Sequence, residues 1–347
     1  MFGQLQAAIL PTDLLCLSFR ANMYSHGMRK WIGLFLAGVA VIGCNNAPTE
    51  SAANKTQPKK LTIGFSQIGA ESGWRTAETQ SIQDEARKRN VDLKFSDAQQ
   101  KQENQVKALR SFIAQRVDGI ILAPVVETGW DPVLKEAKDA RIPVVLVDRG
   151  VNADPSLYTT LIASDFVEEG KRTADWLANK MNLRGNVVEI EGTPGAAPAI
   201  DRKTGFDEQL KKYPNMHILM SQTGNFTRAG GKQVMEAFLK AQGKNINAVY
   251  AHNDDMALGA IQAIEEAGMK PGKDIVVVSI DGIKPAFEAM VAGKLNCTTE
   301  CNPLLGPAAF DAIQSAVAGK SLPKKTIVKD EQFDQTVAAR VLPTRKY

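Results

Sequence analysis

A short stretch of the chain combines side chains that suit a polar, hydroxylated ligand. Residues 66–75 follow an apolar run and contain Trp74 and Arg75 side by side. A tryptophan ring offers a flat apolar face to the carbon–hydrogen side of a sugar, and an arginine offers a rigid fork of donors to hydroxyls or carboxylates. Taken alone, the pair also fits an ordinary helix start, with Trp74 in the core and Arg75 as a solvated charge. The other polar residues must decide between these interpretations.

Polar side chains also follow several apolar runs, at the points where those runs end. Asp148 and Arg149 come after residues 144–147, and Asp281 comes after residues 275–280. Each of them alone is also consistent with a helix cap or a salt bridge. Ligands of open α/β sheets bind outside the carboxyl ends of the strands, so several such residues at one sheet edge indicate a ligand cleft. Further candidates of this kind are Arg202, Phe226 and Asn253.

Sequence signatures of catalysis are missing from the chain. It has no G-x-S-x-G nucleophile motif, no phosphate-binding G-x-x-x-x-G-K-[ST] loop and no G-x-G-x-x-G after its first apolar run. After residue 44 its histidines are His217 and His252, which lie far apart and lack cysteine partners at zinc-ligand spacing. We therefore expect a binding protein that is not an enzyme and that uses neither a cofactor nor a metal.

The charge balance argues against a nucleic-acid partner. The 347 residues include 42 lysines and arginines and 38 aspartates and glutamates, which give a net charge of +4 dispersed along the chain. The length and the ordinary apolar content fit one or two globular domains with substantial cores.

The first 44 residues are predicted to be a targeting segment. A basic start at residues 28–30 precedes the apolar run 31–42, which is too short to span a bilayer. Residues 41–44 resemble a bacterial lipobox, in which the cysteine, here Cys44, is lipidated and becomes the new amino terminus. The alternative is a plain secretory peptide. We expect export in both cases, to the periplasm or cell surface with an anchor through Cys44, or to the periplasm as a soluble protein if the lipobox is not used.

From residue 61 onward, short β-branched runs alternate with helical patterns, as is typical of a parallel sheet with crossover helices. The pattern completes one set of elements and then begins again, so we predict an α/β fold of two doubly wound, Rossmann-like lobes. Later elements exceed what the second sheet needs, and we expect the chain to cross back through a hinge of several strands. The predicted parts are a tether at 45–60, an amino-terminal lobe at 61–163 plus about 302–325, and a carboxyl-terminal lobe at 164–301 plus about 326–347.

Two cysteines, Cys297 and Cys301, lie within the second predicted lobe. In an extended segment their Cα atoms would be about 13 Å apart, which is beyond the reach of a disulfide. A local turn would bring them together. We expect two free thiols.

Several sequence blocks resemble the type I periplasmic sugar-binding proteins of ABC importers, the ribose-binding class. The resemblance covers residues 61 to about 328. Within that class, longer blocks are most similar to the galactofuranose-binding members. The blocks shared with the class are 119–124, 144–149, 201–202, 252–260 and 280–282, and the longer ones are 64–67, 71–75, 99–105 and 250–256.

The resemblance implies a sugar ring lying on Trp74 between the two lobes, with hydroxyls bound by polar residues of each. It also implies a glutamine in the third hinge crossing, where this chain has Glu300 and Cys301. The implied ligand is galactofuranose, a hexose in its five-membered form, or a related aldose. The predicted sugar-binding residues are Gln67, Glu71, Trp74, Arg75, Asp148, Arg149, Arg202, Phe226, Asn253 and Asp281.

The function implied by the resemblance is capture of a monosaccharide and its delivery, by a monomer, to an ABC permease in the inner membrane. An alternative is a sugar receptor that presents its closed form to a chemoreceptor or sensor kinase. A sugar-responsive repressor shares the fold but needs a helix-turn-helix ahead of Leu61, where this sequence has an export signal and a polar tether.

Overall fold

The computed structural model describes residues 60–347. The predicted signal segment, the lipidation site Cys44 and nearly all of the tether lie outside the described residues. Within residues 60–347, no helix combines the length and the apolar character needed to cross a membrane.

The first part of the described chain alternates strands and helices and supplies five strands of one sheet. Its elements are β1 (Thr62–Gln67), α1 (Gly73–Lys88), β2 (Asp92–Asp97), α2 (Gln102–Ala114), β3 (Gly119–Leu122), α3 (Asp131–Asp139), β4 (Val144–Val147) and β5 (Thr160–Ala163).

The middle part repeats this alternation and supplies five strands of a second sheet. Its elements are α4 (Phe166–Lys180), β6 (Arg184–Glu191), α5 (Ala197–Leu210), β7 (Asn215–Thr223), α6 (Arg228–Gln242), β8 (Ala248–Ala251), α7 (Asp254–Glu266), β9 (Val276–Asp281), α8 (Lys284–Val291) and β10 (Cys297–Glu300).

The last part returns to the first sheet and then to the second. Its elements are α9 (Gly306–Val317), β11 (Lys325–Ile327), β12 (Gln332–Asp334) and α10 (Gln335–Val341). The segment after α9 contributes one strand to each sheet. The strand β11 is exposed along its whole length, so it carries no alternating apolar pattern that predicts a strand.

The two sheets have matching strand orders. The first runs β11-β5-β4-β3-β1-β2, and the second runs β12-β10-β9-β8-β6-β7. The pairs are parallel except for β10 with β12. We call the first sheet with α1–α3 and α9 the first lobe, and the second sheet with α4–α8 and α10 the second lobe. The predicted α/β fold of two doubly wound lobes is thereby confirmed.

The central strands of both sheets are short and buried on both faces, as expected for parallel sheets covered by helices. The strands β3, β4 and β8 are buried at every residue. Alternate residues of β4 enter different cores: Val145 and Val147 pack on the side of α1 and α9, whereas Val144 and Leu146 pack on the side of α2 and α3.

The described chain passes between the lobes at three places. These are residues 164–165, 301–305 and 328–331. Cys301 therefore lies in the second crossing, which corrects its assignment to the third. Cys297 and Cys301 are both buried and free, as predicted.

Candidate ligand-binding site

A cavity lies between the two lobes and is lined mainly by charged and aromatic side chains. The space not filled by atoms, including the part open to solvent, is about 290 Å³. Nine of the ten predicted binding residues line this cavity, and Gln67 does not. The lining consists of Glu71, Ser72, Trp74, Arg75, Asp148 and Arg149 from the first lobe, Pro198, Arg202, Phe226, Asn253 and Asp281 from the second, and Cys301 from the second crossing.

Hydrogen bonds donated by backbone N–H groups of the first lobe join the lobes over this cavity. The Gly73 N–H, at the start of α1, donates to Asp255 Oδ2 in α7 at 2.8 Å. The Glu127 N–H in the first lobe donates to the Gly195 carbonyl in the second at 2.9 Å. The structure therefore has a closed cleft.

Turns and helix starts place the lining residues. The side chain of Ser72 caps α1 by accepting from the Arg75 N–H at 3.1 Å, which fixes the direction of the helix start. Asp148, Phe226 and Asp281 follow strands or turns with φ angles of 61°, 60° and 130°. Such backbone conformations cost about 1–3 kcal/mol each in residues with a side chain, and they concentrate at ligand sites.

Arg75 is held by three carboxylates. Its Nε donates to Glu71 at 3.1 Å, its Nη2 donates to Asp148 at 2.7 Å, and its Nη1 bonds Glu78. Burial lowers the pKa of Arg75, but the charges of Asp148, Glu78 and Glu71 outweigh burial and raise that pKa well above its ordinary value. The guanidinium is therefore a fixed cation in the wall of the cavity.

Arg149 is less fully paired than Arg75. Its Nη1 donates to the Val125 carbonyl at 2.9 Å, and its Nε has no hydrogen-bond partner among the described residues. Burial, and then the positive charge of Arg75, lower the pKa of Arg149 to about 10. Its guanidinium carbon lies 5.3 Å from the ring centre of Phe226, in the opposite lobe. A buried, charged donor is thus available to a ligand.

Trp74 belongs both to the cavity and to a core. Its Nε1–H donates to the Cys301 carbonyl at 2.6 Å, and its side chain packs with the hydrophobic cluster of the second lobe. The guanidinium carbon of Arg75 lies 4.7 Å from the Trp74 ring centre. The sequence leaves open whether Trp74 lies in the core or at a ligand cleft. In the structure this ring packs in the core and also lines the cavity.

In the second lobe, Arg202 is oriented by three oxygens. Its Nε donates to Glu169 at 2.8 Å, its Nη1 donates to the His252 carbonyl at 2.6 Å, and its Nη2 is 3.5 Å from Asp281 Oδ1. Burial lowers the pKa of Arg202, but the charge of Glu169 outweighs burial and raises that pKa. Burial also raises the pKa of Asp281 well above its ordinary value.

Asn253 serves as a helix cap at the edge of the cavity. Its Oδ1 accepts from the Met256 N–H at 2.9 Å, and its Nδ2 donates to the Phe226 carbonyl at 3.1 Å. The helix-cap interpretation and the cavity-lining interpretation of this residue are thus both correct. Its amide also fixes the loop that carries Phe226.

Gln67 lies behind Arg75 instead of facing the cavity. Its Nε2 donates to Glu78 Oε2 and Thr79 Oγ1, each at 3.0 Å, and its Oε1 accepts from the Ile68 N–H at 2.8 Å. As the last residue of β1, it points into the space between that strand and α1. The structure therefore places Gln67 outside the set of cavity-lining residues.

Three lining residues were not predicted as binding residues. Ser72 adjoins the predicted stretch and is recognisable as a helix cap, and Cys301 occupies the hinge position noted in the sequence. Pro198, near the start of α5, has no sequence signal that points to a ligand. Among residues 60–347, no group of three or more histidine, cysteine, aspartate or glutamate side chains is arranged to hold a metal ion.

Most of the chain matches a known protein family. The family profile described as periplasmic binding protein domain matches residues 63–321. The chain belongs to the periplasmic binding protein family. The predicted family is thereby confirmed.

Close relatives include proteins named for sugar binding. The chain is 54% identical over 291 residues to the galactofuranose-binding protein YtfQ of Escherichia coli K12, which covers 82% of this chain and 92% of that protein. It is 32% identical over 331 residues to the fructose import binding protein FruE of Bifidobacterium longum, which covers 92% of this chain and 100% of that protein.

Solved structures with the same fold contain five-membered sugars. The periplasmic component of an arabinose ABC transporter from Shewanella sp. ANA-3, bound to α- and β-L-arabinofuranose, has 55% identity and a TM-score of 0.81, covering 82% of this chain and 96% of that one. A Mycobacterium smegmatis structure in complex with β-D-fucofuranose has 53% identity and a TM-score of 0.81, covering 83% and 95%.

Proposed function

We propose that this protein is the exported sugar-binding component of an ABC importer, and that it captures a monosaccharide between its lobes and delivers it to a permease in the inner membrane. The observation that carries the proposal is a cavity between the two lobes that is lined by three arginines and three carboxylates. No catalytic step and no cofactor is part of the proposal.

The lining chemistry supports a neutral ligand with many hydroxyls. The guanidinium of Arg149 is a donor, and Glu71 Oε2 is an acceptor with no hydrogen-bond partner among the described residues. Each hydroxyl can donate and accept at once, so a sugar pairs with both kinds of group. Hydrogen bonds to charged groups contribute about 1.5–3 kcal/mol each.

The size and closure of the cavity support a single sugar unit. The space not filled by atoms is about 290 Å³ even when the part open to solvent is included, so the closed cavity admits only a small ligand. Ligands in two-lobed proteins of this kind are enclosed by hinge motion. We propose that the lobes open to admit the sugar and close around it.

We propose a furanose, with galactofuranose as the first candidate. Support comes from relatives at 53–55% identity whose names or structures contain galactofuranose, arabinofuranose and fucofuranose. These sugars share a five-membered ring and differ in their exocyclic groups. The proposed contacts come from the nine predicted residues that line the cavity, with Trp74 beside the ring.

Isothermal titration calorimetry on a panel of sugars tests this proposal. The panel is galactofuranose, arabinose, ribose and a galactoside locked in the pyranose form. We expect the tightest binding for galactofuranose, and an analogue lacking one bound hydroxyl should bind about tenfold to a hundredfold more weakly because it leaves a buried polar group unpaired. A preference for ribose or for the pyranose-locked sugar would contradict the furanose assignment.

A sugar receptor is the second candidate function. It is favoured by similarity to the fructose-binding periplasmic domain of the hybrid two-component system BT1754, at 28% identity and a TM-score of 0.76. Deletion of the gene separates the two candidates, because an import component is needed for uptake of the sugar whereas a receptor is needed only for the response to it.

The proposal also includes a monomer anchored to a membrane through lipid on Cys44. The anchor rests on the residue pattern 41–44 alone, and the monomer rests on the resemblance to the sugar-binding class. Cys44→Ser should move the protein from the membrane fraction to the soluble fraction, because stable anchoring needs more than one acyl chain.

A further inference from the structure

A buried glutamate on α1 stands directly behind the cavity without lining it. Glu78 is completely buried, and one of its oxygens, Oε2, bonds the Arg75 guanidinium and accepts from Gln67 Nε2. Its other oxygen, Oε1, has no hydrogen-bond partner among the described residues. Removing a carboxylate from water costs free energy unless the charge is paired, so this glutamate needs Arg75.

The contacts form a continuous chain from the interior to the cavity. Gln67 and Glu78 fix one end of the Arg75 guanidinium, and the other two nitrogens of that guanidinium hold Glu71 at 3.1 Å and Asp148 at 2.7 Å. Glu71 and Asp148 line the cavity, whereas Gln67 and Glu78 do not. The planar guanidinium transmits orientation because its nitrogens have fixed directions relative to one another.

We propose that Glu78 is a positioning residue for sugar binding: its carboxylate holds Arg75 in the orientation that presents Glu71 and Asp148 to the ligand. This inference rests on the proposed sugar-binding function. It assigns to Glu78, which does not touch the cavity, a share of the affinity.

The protonation of Glu78 makes the proposal measurable. Burial, together with the negative charge of Asp148, raises the pKa of Glu78 to about 7, and the charge of Arg75 and the hydrogen bond from Gln67 oppose this rise. The charged groups around it are Arg75 and Glu71 at the start of α1, and Asp148 and Arg149 after β4. Glu78 is therefore ionised above neutral pH and neutral below it.

The test compares the wild type with Glu78→Gln, which replaces the ionised carboxylate by a neutral group of the same shape. Sugar affinity is measured by calorimetry with galactofuranose from about pH 5.5 to about pH 8.5, a range that brackets the pKa of Glu78. At the alkaline end we expect the variant to bind about tenfold more weakly, because a charge-assisted bond to Arg75 is lost. At the acid end the difference should vanish, since both side chains are then neutral.

The ratio of the two affinities isolates Glu78 from other titrating groups. Burial also raises the pKa of Glu169 to about 7, but Glu169 is present in both proteins and its contribution cancels in the ratio. The matched control is Glu85→Gln on the same helix. Glu85 is also buried, and its carboxylate lies 2.6 Å from the Nε of Arg89. Neither residue lines the cavity. This control should bind with wild-type affinity at every pH.

Gln67→Met provides a second variant if Glu78→Gln does not fold. It removes the hydrogen bond that stabilises ionised Glu78, so the pKa of Glu78 should rise, and binding should be weakened most near neutral pH. Equal affinities of wild type and Glu78→Gln throughout, or a ratio that does not change with pH, would overturn the positioning role alone. A wild-type protein that binds none of the sugars would overturn the proposed function and this inference together.

Discussion

Arg149 is the cavity guanidinium with the fewest protein partners. Arg75 is held by three carboxylates and Arg202 by Glu169 and a carbonyl. The Nε of Arg149 has no hydrogen-bond partner among the described residues, and Asp148 Oδ2 lies 3.7 Å from it. A donor that the protein leaves unsatisfied in a buried site costs free energy until a ligand pairs with it. At the scale of single residues, we therefore predict that Arg149 is the donor on which sugar recognition depends most.

Arg149→Lys tests this assignment while keeping the positive charge. Lysine lacks the planar fork and cannot make the same pair of contacts. We expect affinity for galactofuranose to fall about tenfold to a hundredfold, and the preference over ribose to become smaller. The measurement is calorimetry with both sugars.

The control for this substitution is Arg110→Lys, at an exposed arginine paired with Glu136 on the surface. It should leave both affinities unchanged. Wild-type affinity and preference in Arg149→Lys would remove Arg149 from the recognition site.

Elements of the second lobe are tied together at the start of α7. Asp254, the first residue of that helix, accepts from Thr298 Oγ1 and the Ile283 N–H, each at 2.8 Å, and also from Ser279 Oγ. These donors lie in β9, β10 and the loop before α8. The neighbouring Asn253 lines the cavity, so this junction fixes one wall of the site.

Asp254→Asn should destabilise the second lobe in a pH-dependent way. An amide has one acceptor oxygen fewer and leaves a buried donor unpaired, which costs about 1–3 kcal/mol. Burial raises the pKa of Asp254 to about 6, above its value in the unfolded chain, so the wild type loses stability as the pH rises from about 4 to about 6. The variant has no such loss.

Urea unfolding of the wild type and of Asp254→Asn checks this expectation. The gap in the free energy of unfolding should be larger near pH 4 than near pH 7, because only the wild type is destabilised across that interval. A gap that widens with rising pH would mean that the three donors stabilise the ionised carboxylate more than burial opposes it.

Buried strands can be predicted from the sequence, whereas exposed strands cannot. The central strands β3, β4 and β8 are apolar because helices cover both faces, and their positions follow from composition. The strand β11 is exposed and lacks that signal. The start of α7 at Asp254 is set by the Asn253 cap.

The candidate site is predictable for a related reason. Residues at strand ends, such as Asp148 and Asp281, converge because parallel strands present their carboxyl ends at one sheet edge. Glu78 and Glu169 carry no such signal, since each is one acidic residue among several on a helix. The resemblance places Gln67 at the cavity, but a residue at a strand end can point to either side of the sheet. The packing of α1 decides the side, and it holds Gln67 behind Arg75.

Among residues 60–347, Asp255 supplies one of the polar contacts that join the two lobes. Its Oδ2 accepts from the Gly73 N–H of the opposite lobe at 2.8 Å, and its Oδ1 pairs with Arg228 at 2.9 Å. The carboxylate does not line the cavity. We therefore expect it to stabilise the closed form without contacting a ligand in the cavity.

Asp255→Ala should lower the affinity for every sugar by the same factor, about tenfold, because it removes a hydrogen bond that exists only in the closed form. Rates of sugar release, measured by stopped-flow fluorescence, should rise, and the ratio of affinities between sugars should stay constant. Arg228→Ala is the matched control, since it leaves the bond to Gly73 in place and should have a smaller effect. A changed preference between sugars in Asp255→Ala would place this residue in recognition.

We expect the two lobes to capture a monosaccharide by closing around it. Small-angle X-ray scattering of residues 60–347, with and without saturating galactofuranose, tests this expectation most directly. The free protein should sample an open form and the ligand should favour the closed one, because contacts from both lobes exist together only when the cleft is shut. We expect the radius of gyration to fall when the sugar binds. An identical scattering profile at saturation, with binding established by calorimetry, would contradict capture by closure.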